Sequence, residues 1–168
     1  MTLSLIPAVK DMTHGDLVQV AARWLRNTRK CGVVLVERGT WEIPDAIGWG
    51  PHPATCVLVE VKVSRSDFLA DAKKPHRIHP GALGRERWYL APSGLLHPED
   101  IQKPWGLLAW TGKVCRVLVR PELLPDDLAS VEHERRLALS ELRNYQAQGI
   151  MYKVGAERWG SLLLPQGI

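Results

Sequence analysis

The sequence contains few cysteines and no long apolar run. Cys31, Cys56 and Cys115 are widely spaced and odd in number, so neither a disulfide framework nor a cysteine metal site is predicted. The first nine residues are apolar, but they are too short for a signal-peptide core and lack a basic start. Because there is no run of about 18 apolar residues, no membrane span is predicted. We therefore expect a cytoplasmic protein with reduced thiols and no membrane contact.

The composition is that of a globular protein with a slight basic excess. Of the 168 residues, 45% are hydrophobic and 24% are charged, which is enough apolar material for a core and argues against global disorder. The net charge of +4 is compatible with nucleic-acid binding but does not demonstrate it. Four basic residues and no acidic residue lie between Arg23 and Lys30, so part of the positive charge is concentrated in one segment.

The hydrophobic periodicity predicts helices alternating with strands. Thr13 is suited to cap a first helix, and Ser64 is suited to cap a second that ends before Pro75. The predicted helices cover residues 16–30, 65–74 and 126–148, and the predicted strands cover residues 33–37, 41–48, 56–63, 87–91, 106–110 and 114–120. This order indicates an α/β fold with a mixed central sheet flanked by helices. We expect a core over residues 1–120 and a C-terminal helix and tail over residues 121–168, as an extension of the same domain.

Two charged residues interrupt the most apolar strand. Val57, Val59, Val61 and Val63 share one face of this strand, so Glu60 and Lys62 lie next to each other on the other face. Burying charge is costly unless the charge is paired or bound to a metal ion. A plain Glu–Lys pair on a half-exposed strand is one interpretation.

Asp45 favours a second interpretation of this pair. It follows Ile43-Pro44 in the preceding strand, and a hairpin between the two strands would bring it beside Glu60. Two carboxylates and an ammonium would then lie together, which is a set that can hold a hard divalent cation and activate water.

The same residues resemble a known family. Pro44-Asp45 followed by Glu60-Val61-Lys62 resembles the PD-(D/E)XK nuclease superfamily, and the strand–helix junction over residues 60–71 is similar to MmcB-like bacterial DNA-repair proteins of that superfamily. The resemblance covers roughly residues 16–91. It implies a restriction-endonuclease-like fold and Mg²⁺- or Mn²⁺-dependent hydrolysis of DNA in repair, recombination or phage DNA processing. It also implies a bacterial or phage-encoded protein.

The expected roles at this site follow from the residue types. Asp45 and Glu60 are the expected metal ligands, and the family implies the backbone carbonyl of Val61 as a further one. Lys62 is expected to orient the attacking water and to stabilise developing negative charge. Glu37 is either an additional ligand or an exposed charge at the end of a strand. No organic cofactor is expected.

Basic residues near this segment are candidates for contacts with phosphates. A solvated helix face is the alternative for those in the first helix, and Asp67 and Asp71 are expected to pair with neighbouring cations. Trp49 is either a core residue or a base-stacking residue. The nucleic-acid contacts are predicted at Arg65, Lys73, Lys74, Arg77, Arg23 and Arg26.

Two alternatives to a nuclease remain open at the level of sequence. One is a DNA-binding module without turnover, and the other is a protein-interaction scaffold that uses the C-terminal helix. That helix has an apolar stripe that suits packing on its own domain or contact with a second copy in a homodimer. The stripe consists of Leu128, Val131, Ala138, Leu142 and Tyr145.

Overall fold

The computed structural model describes residues 12–38, 42–50, 55–71, 73–74, 82–125 and 128–147. In these ranges it contains three α-helices, a single-turn 3-10 helix at Pro98–Asp100 and six strands. The helices are α1 (His14–Asn27), α2 (Arg65–Asp71) and α3 (Leu128–Ala147). The strands are β1 (Val33–Val36), β2 (Ala46–Trp49), β3 (Cys56–Val61), β4 (Glu86–Pro92), β5 (Gly106–Trp110) and β6 (Cys115–Val119).

The strands form one mixed sheet in the order β1-β2-β3-β4-β5-β6, so each strand pairs with its neighbours in sequence. The pairs β1–β2, β2–β3 and β5–β6 are antiparallel, and the pairs β3–β4 and β4–β5 are parallel. The parallel step from β3 to β4 requires a crossover, and α2 lies within it. The expected α/β fold with a mixed sheet is confirmed.

Helices cover both faces of the sheet. On one face, α1 packs on the valines of β3 in a cluster with Trp88, Leu90 and Leu108. On the other face, Phe68 of α2 and Leu137 of α3 pack in a second cluster with Ile47 and Leu58. The predicted alternation of β3 is therefore confirmed, because its valines face α1 and its polar side chains face α2. No helix among the described residues is long and apolar enough to cross a membrane.

The predicted cap of α1 is confirmed as a capping box. Thr13 Oγ1 accepts from the backbone N–H of Asp16 at 3.2 Å, and the Asp16 carboxylate accepts from the backbone N–H of Thr13 at 3.0 Å. The helix ends at Asn27 instead of Lys30. Lys30 has a φ of +57°, which is the left-handed region, so the chain has already left the helix there.

The boundaries of the elements next to Asp45, Glu60 and Lys62 also differ from the predictions. The strand β2 begins at Ala46 instead of residue 41, because Pro44 has no N–H to give the sheet. The strand β3 ends at Val61 instead of Val63, whose side chain is 37% exposed as the chain turns toward α2. The helix α2 ends at Asp71 instead of Lys74, and a turn from Lys74 N–H to the Asp71 carbonyl follows it.

The stripe predicted for α3 is partly wrong. Leu137 and Ala138 are buried, whereas Val131 is 43% exposed. Leu137, Ala138 and Leu142 of α3 pack on the second face of the sheet, and α3 contacts β1, as packing on the same domain requires. The side chains of Leu128 and Tyr145, and residues 148–168, lie outside the described part of the chain.

Candidate active site

Asp45, Glu60 and Lys62 lie at the same end of the sheet, where β3 ends. Because β2 is antiparallel to β3, its beginning lies at this end, and Ala46 pairs with Val59. Asp45 therefore lies beside the segment that contains Glu60. A hydrogen bond fixes this placement, since the backbone N–H of Val61 donates to Oδ2 of Asp45 at 2.7 Å.

The other carboxylate oxygen of Asp45 faces the first helix. Oδ1 of Asp45 is 3.2 Å from Nε2 of His14, the first residue of α1. The same nitrogen is 3.7 Å from Oε1 of Glu37. Glu37 also donates its backbone N–H to the Asp45 carbonyl at 3.1 Å, so it lies at the same end of the sheet with its side chain exposed.

Sequence reasoning missed His14. Its position next to the Thr13 cap indicated the start of a helix, but no local pattern linked that helix start to Asp45. The link comes from the docking of α1 on β2 and β3, which brings residues 31 positions apart into contact.

Glu60 and Lys62 are both buried, with 3% of each residue exposed. Nζ of Lys62 is 3.8 Å from Oε2 of Glu60. Two carboxylates of α2 also face this ammonium: Oδ1 of Asp71 at 3.2 Å and Oδ1 of Asp67 at 3.9 Å. The ammonium is therefore surrounded by negative charge from a strand and a helix, which offsets the cost of its burial.

Asp71 is the most buried carboxylate in this group, with 0% of the residue exposed. Its Oδ1 is 3.0 Å from Nζ of Lys74, and its Oδ2 accepts from the hydroxyl of Tyr89 at 3.2 Å. Tyr89 pairs with Glu60 across the parallel β3–β4 ladder, so the two side chains share a face of the sheet. The expectation that Asp71 pairs with neighbouring cations is confirmed.

The donor set suits one kind of metal ion. Two carboxylates and a backbone carbonyl are the hard oxygen donors that Mg²⁺ prefers, and Mg²⁺ is commonly bound by one or two carboxylates, with waters and substrate oxygens completing its shell. Among the described residues, no group of three or more His, Cys, Asp or Glu side chains is arranged to hold a metal ion. Asp45, Glu60 and the Val61 carbonyl therefore do not form a closed protein cage, and water and substrate oxygens would have to supply most of the shell of an ion held there.

Arg65 is engaged in a second ion pair. Its guanidinium donates to both carboxylate oxygens of Asp100, at 2.8 and 2.7 Å. These hydrogen bonds hold the pKa of Asp100 well below its usual range and raise the pKa of Arg65. A phosphate would have to compete with Asp100 for this side chain.

The other predicted phosphate contacts divide between the two ends of the sheet. Lys73 and Lys74 follow α2 and are exposed beside the site. Arg23 and Arg26 are exposed on α1 toward its C-terminal end, and a rise of 1.5 Å per residue puts them roughly 14–18 Å from His14. Arg77 lies outside the described residues.

The end of α1 is held at the far side of the sheet. Arg29 pairs with Glu86, the first residue of β4, at 2.6 Å. Trp49 lies at that side too, and it is only 2% exposed within the second core cluster. The core interpretation of Trp49 is therefore confirmed, and the structure gives it no surface for stacking on a base.

Comparison with known proteins identifies a protein with a similar fold, and it gives no information about activity. No protein-family model matches the chain, and no curated protein matches it significantly. Among solved structures, a protein of unknown function from Silicibacter pomeroyi is similar, with a TM-score of 0.59 and 21% sequence identity over 94% of this chain and 98% of that chain. At this identity the likeness shows a shared fold alone.

Proposed function

We propose that this protein is a metal-dependent nuclease that hydrolyses DNA phosphodiester bonds on a restriction-endonuclease-like fold. The observation that carries the proposal is the hydrogen bond from the Val61 N–H to Asp45, which brings this carboxylate to the end of the sheet where Glu60 and Lys62 are paired. Glu60 and Lys62 are buried there, and buried charges that cost free energy are retained at functional sites more readily than elsewhere. The resemblance of these residues to the PD-(D/E)XK superfamily supports the same conclusion.

Asp45, Glu60 and the carbonyl of Val61 would hold Mg²⁺ or Mn²⁺. When bound, such an ion neutralises charge on the phosphate and lowers the pKa of a coordinated water. Lys62 would donate hydrogen bonds to the attacking water and to the oxygen on which negative charge develops. His14 and the Val61 N–H would keep the Asp45 carboxylate oriented, each contacting one of its oxygens.

DNA is the proposed substrate because the site is bordered by exposed ammonium groups. Lys73 and Lys74 lie directly after α2, so a backbone phosphate that reaches Lys62 would pass close to them. Such contacts position a nucleic acid without reading its sequence. The proposal therefore covers the hydrolysis of phosphodiester bonds and includes no preference for particular bases.

The test is a cleavage assay on labelled single-stranded, duplex and branched DNA, with and without Mg²⁺ or Mn²⁺. Glu60→Gln and Lys62→Met keep side-chain size while removing charge, so they separate chemistry from packing. Lys103→Ala is the matched control, because Lys103 is 81% exposed and pairs with Glu122 away from this site.

We expect metal-dependent cutting by the wild type and by the Lys103 variant, and a loss of at least about 100-fold in the Glu60 and Lys62 variants. Absence of cleavage with retained DNA binding would replace the proposal with the non-catalytic module. Absence of both would favour a protein-interaction scaffold.

A further inference from the structure

The position of the Lys62 ammonium is not fixed by the residues of β3, which Lys62 directly follows. A lysine side chain has four rotatable methylene groups, so its terminal nitrogen is not positioned by the backbone alone. Glu60, the neighbour on the strand, is 3.8 Å away, which is longer than a charge-assisted hydrogen bond. A group from another element has to fix the ammonium.

Asp71 is placed to do this. Its Oδ1 is the nearest of the three carboxylate oxygens around Lys62, at 3.2 Å, and the residue is completely buried. Asp67, one helical turn earlier, lies 3.9 Å away with a side chain that is 43% exposed. Solvent therefore weakens the interaction with Asp67 much more than the interaction with Asp71.

The orientation of Asp71 is itself fixed from β4. The Tyr89 hydroxyl donates to Oδ2, which leaves Oδ1 for the lysines. The Tyr89 ring is stacked on Trp105 with centroids 4.3 Å apart, and the ring of Phe68 meets it edge-on at 5.1 Å. An aromatic layer of three rings thus supports the carboxylate, and aromatic contacts of this kind resist rotation of the Tyr89 ring.

Lys74 also contacts Asp71, and it lies at the surface of the protein. Its ammonium is 3.0 Å from the same Oδ1, and its side chain is 50% exposed. One oxygen of Asp71 therefore joins the buried Lys62 to a cation that an incoming phosphate can reach.

We propose that Asp71 is a positioning residue that fixes the Lys62 ammonium for catalysis, with Tyr89 orienting Asp71 and Lys74 connecting it to the substrate. The inference rests on the proposed nuclease function for its catalytic meaning. The contact between Asp71 and Lys62 can be tested without cleavage.

The experiment compares Asp71→Asn with Asp67→Asn, which removes the same charge from the same helix beside the same lysine. Steady-state cleavage and DNA affinity are measured for each, the latter in EDTA. We expect kcat of the Asp71 variant to fall by about 100-fold, the cost of a misplaced catalytic group, while DNA affinity changes by less than about threefold. The Asp67 variant should keep kcat within about threefold of wild type.

A second measurement is independent of cleavage. Brief labelling with acetic anhydride, followed by mass spectrometry of peptides, gives the relative reactivity of Lys62 and Lys74. We expect Lys62 to label at least about tenfold more slowly than Lys74 in the wild type, because Lys62 is almost fully buried and Lys74 is half exposed. Asp71→Asn should narrow that difference by at least about threefold, because Lys62 loses the contact that fixes its flexible side chain, while burial still keeps it slower than Lys74. Asp67→Asn should leave the difference unchanged.

Tyr89→Phe keeps the aromatic stacking and removes only the hydroxyl, so it tests the same idea if Asp71→Asn does not fold. It should lower kcat by about three- to tenfold, with DNA affinity unchanged.

Equal kcat in the Asp71 and Asp67 variants would overturn the proposal. A parallel loss of DNA affinity and melting temperature in the Asp71 variant would also overturn it, because it would mark a purely structural role. If the wild type cleaves no DNA, the nuclease function fails on its own. The labelling result then still decides whether Asp71 positions Lys62.

Discussion

The Asp45 carboxylate accepts a 2.7 Å hydrogen bond from the backbone N–H of Val61. Val61 is completely buried and is the last residue of β3, so this donor lies where the ladder with β2 has already stopped. Asp45 therefore satisfies a backbone donor at the end of the sheet that also holds Glu60. A structural contact and a proposed ligand are combined in one side chain.

This double role predicts different outcomes for two substitutions. Asp45→Ala should lower the free energy of unfolding by about 1–3 kcal/mol, because a buried N–H loses its acceptor. Asp45→Asn retains an oxygen for Val61 and should cost less than about 1 kcal/mol. Urea denaturation measures both, and the cleavage assay should show both variants to be inactive. Equal stability of the two variants would show that the Val61 contact contributes nothing.

Lys74 should contribute to DNA affinity in a salt-dependent way. If it contacts one phosphate, Lys74→Ala should reduce the slope of the logarithm of the binding constant against the logarithm of salt concentration by about 0.9 on duplex DNA. Titrations at several salt concentrations in EDTA give that slope, with Lys103→Ala as the control that should leave it unchanged. A slope equal to that of wild type would remove Lys74 from the DNA contacts.

The ion pair of Arg65 and Asp100 should make stability depend on pH in the acid range. Its hydrogen bonds lower the pKa of Asp100 in the folded protein, so the stabilisation is present above the ordinary aspartate pKa of about 3.9 and is lost as the pH falls toward the folded value. Asp100→Asn should therefore be less stable than wild type at pH 7, and the difference should shrink below about pH 4.

Denaturation midpoints in urea at pH 7 and pH 3 test this expectation. Glu99→Gln removes the same charge from the neighbouring exposed residue and should show a smaller difference at both pH values. A difference for Asp100→Asn that stays constant with pH would contradict the assignment.

Gly84 and Gly94 form a matched pair for separating backbone strain from packing. Both have a left-handed φ, of +82° and +85°. A Cβ at Gly84 would lie 2.5 Å from Cβ of Leu58, whereas a Cβ at Gly94 would have nothing within 4 Å. Gly94→Ala should cost roughly 1–2 kcal/mol from φ alone. Gly84→Ala should cost roughly 1–3 kcal/mol more from the clash, and chemical denaturation of both variants gives the difference.

The parts of the site that follow local rules could be predicted from sequence. Alternation along β3 determines that Glu60 and Lys62 share a face, and a hairpin with the preceding strand brings Asp45 to the same place. These inferences need only strand periodicity and a short connection. They depend little on how the helices dock.

The parts that depend on long-range packing could not be predicted in this way. Tyr89 reaches Asp71 because β4 is parallel to β3 and α2 packs on the face of the sheet that carries Tyr89, and no local pattern specifies that register. His14 reaches Asp45 for a similar reason. In α3, the apolar stripe did not reveal that Leu137 is buried while Val131 is exposed, because the rotation of a helix is set by the surface that it meets.

The orientation of α1 has a consequence for the size of any nucleic acid that contacts both of its ends. The helix begins at His14, beside Asp45, and its last turn is held at the opposite end of the sheet through the pair of Arg29 with Glu86. A duplex that touched both Asp45 and Arg26 would have to follow the helix for about 18 Å, which is roughly five base pairs at 3.4 Å each. Shorter duplexes could engage the cluster around Lys62 but would leave Arg23 and Arg26 of α1 uncovered, so the length dependence of binding would measure the footprint directly.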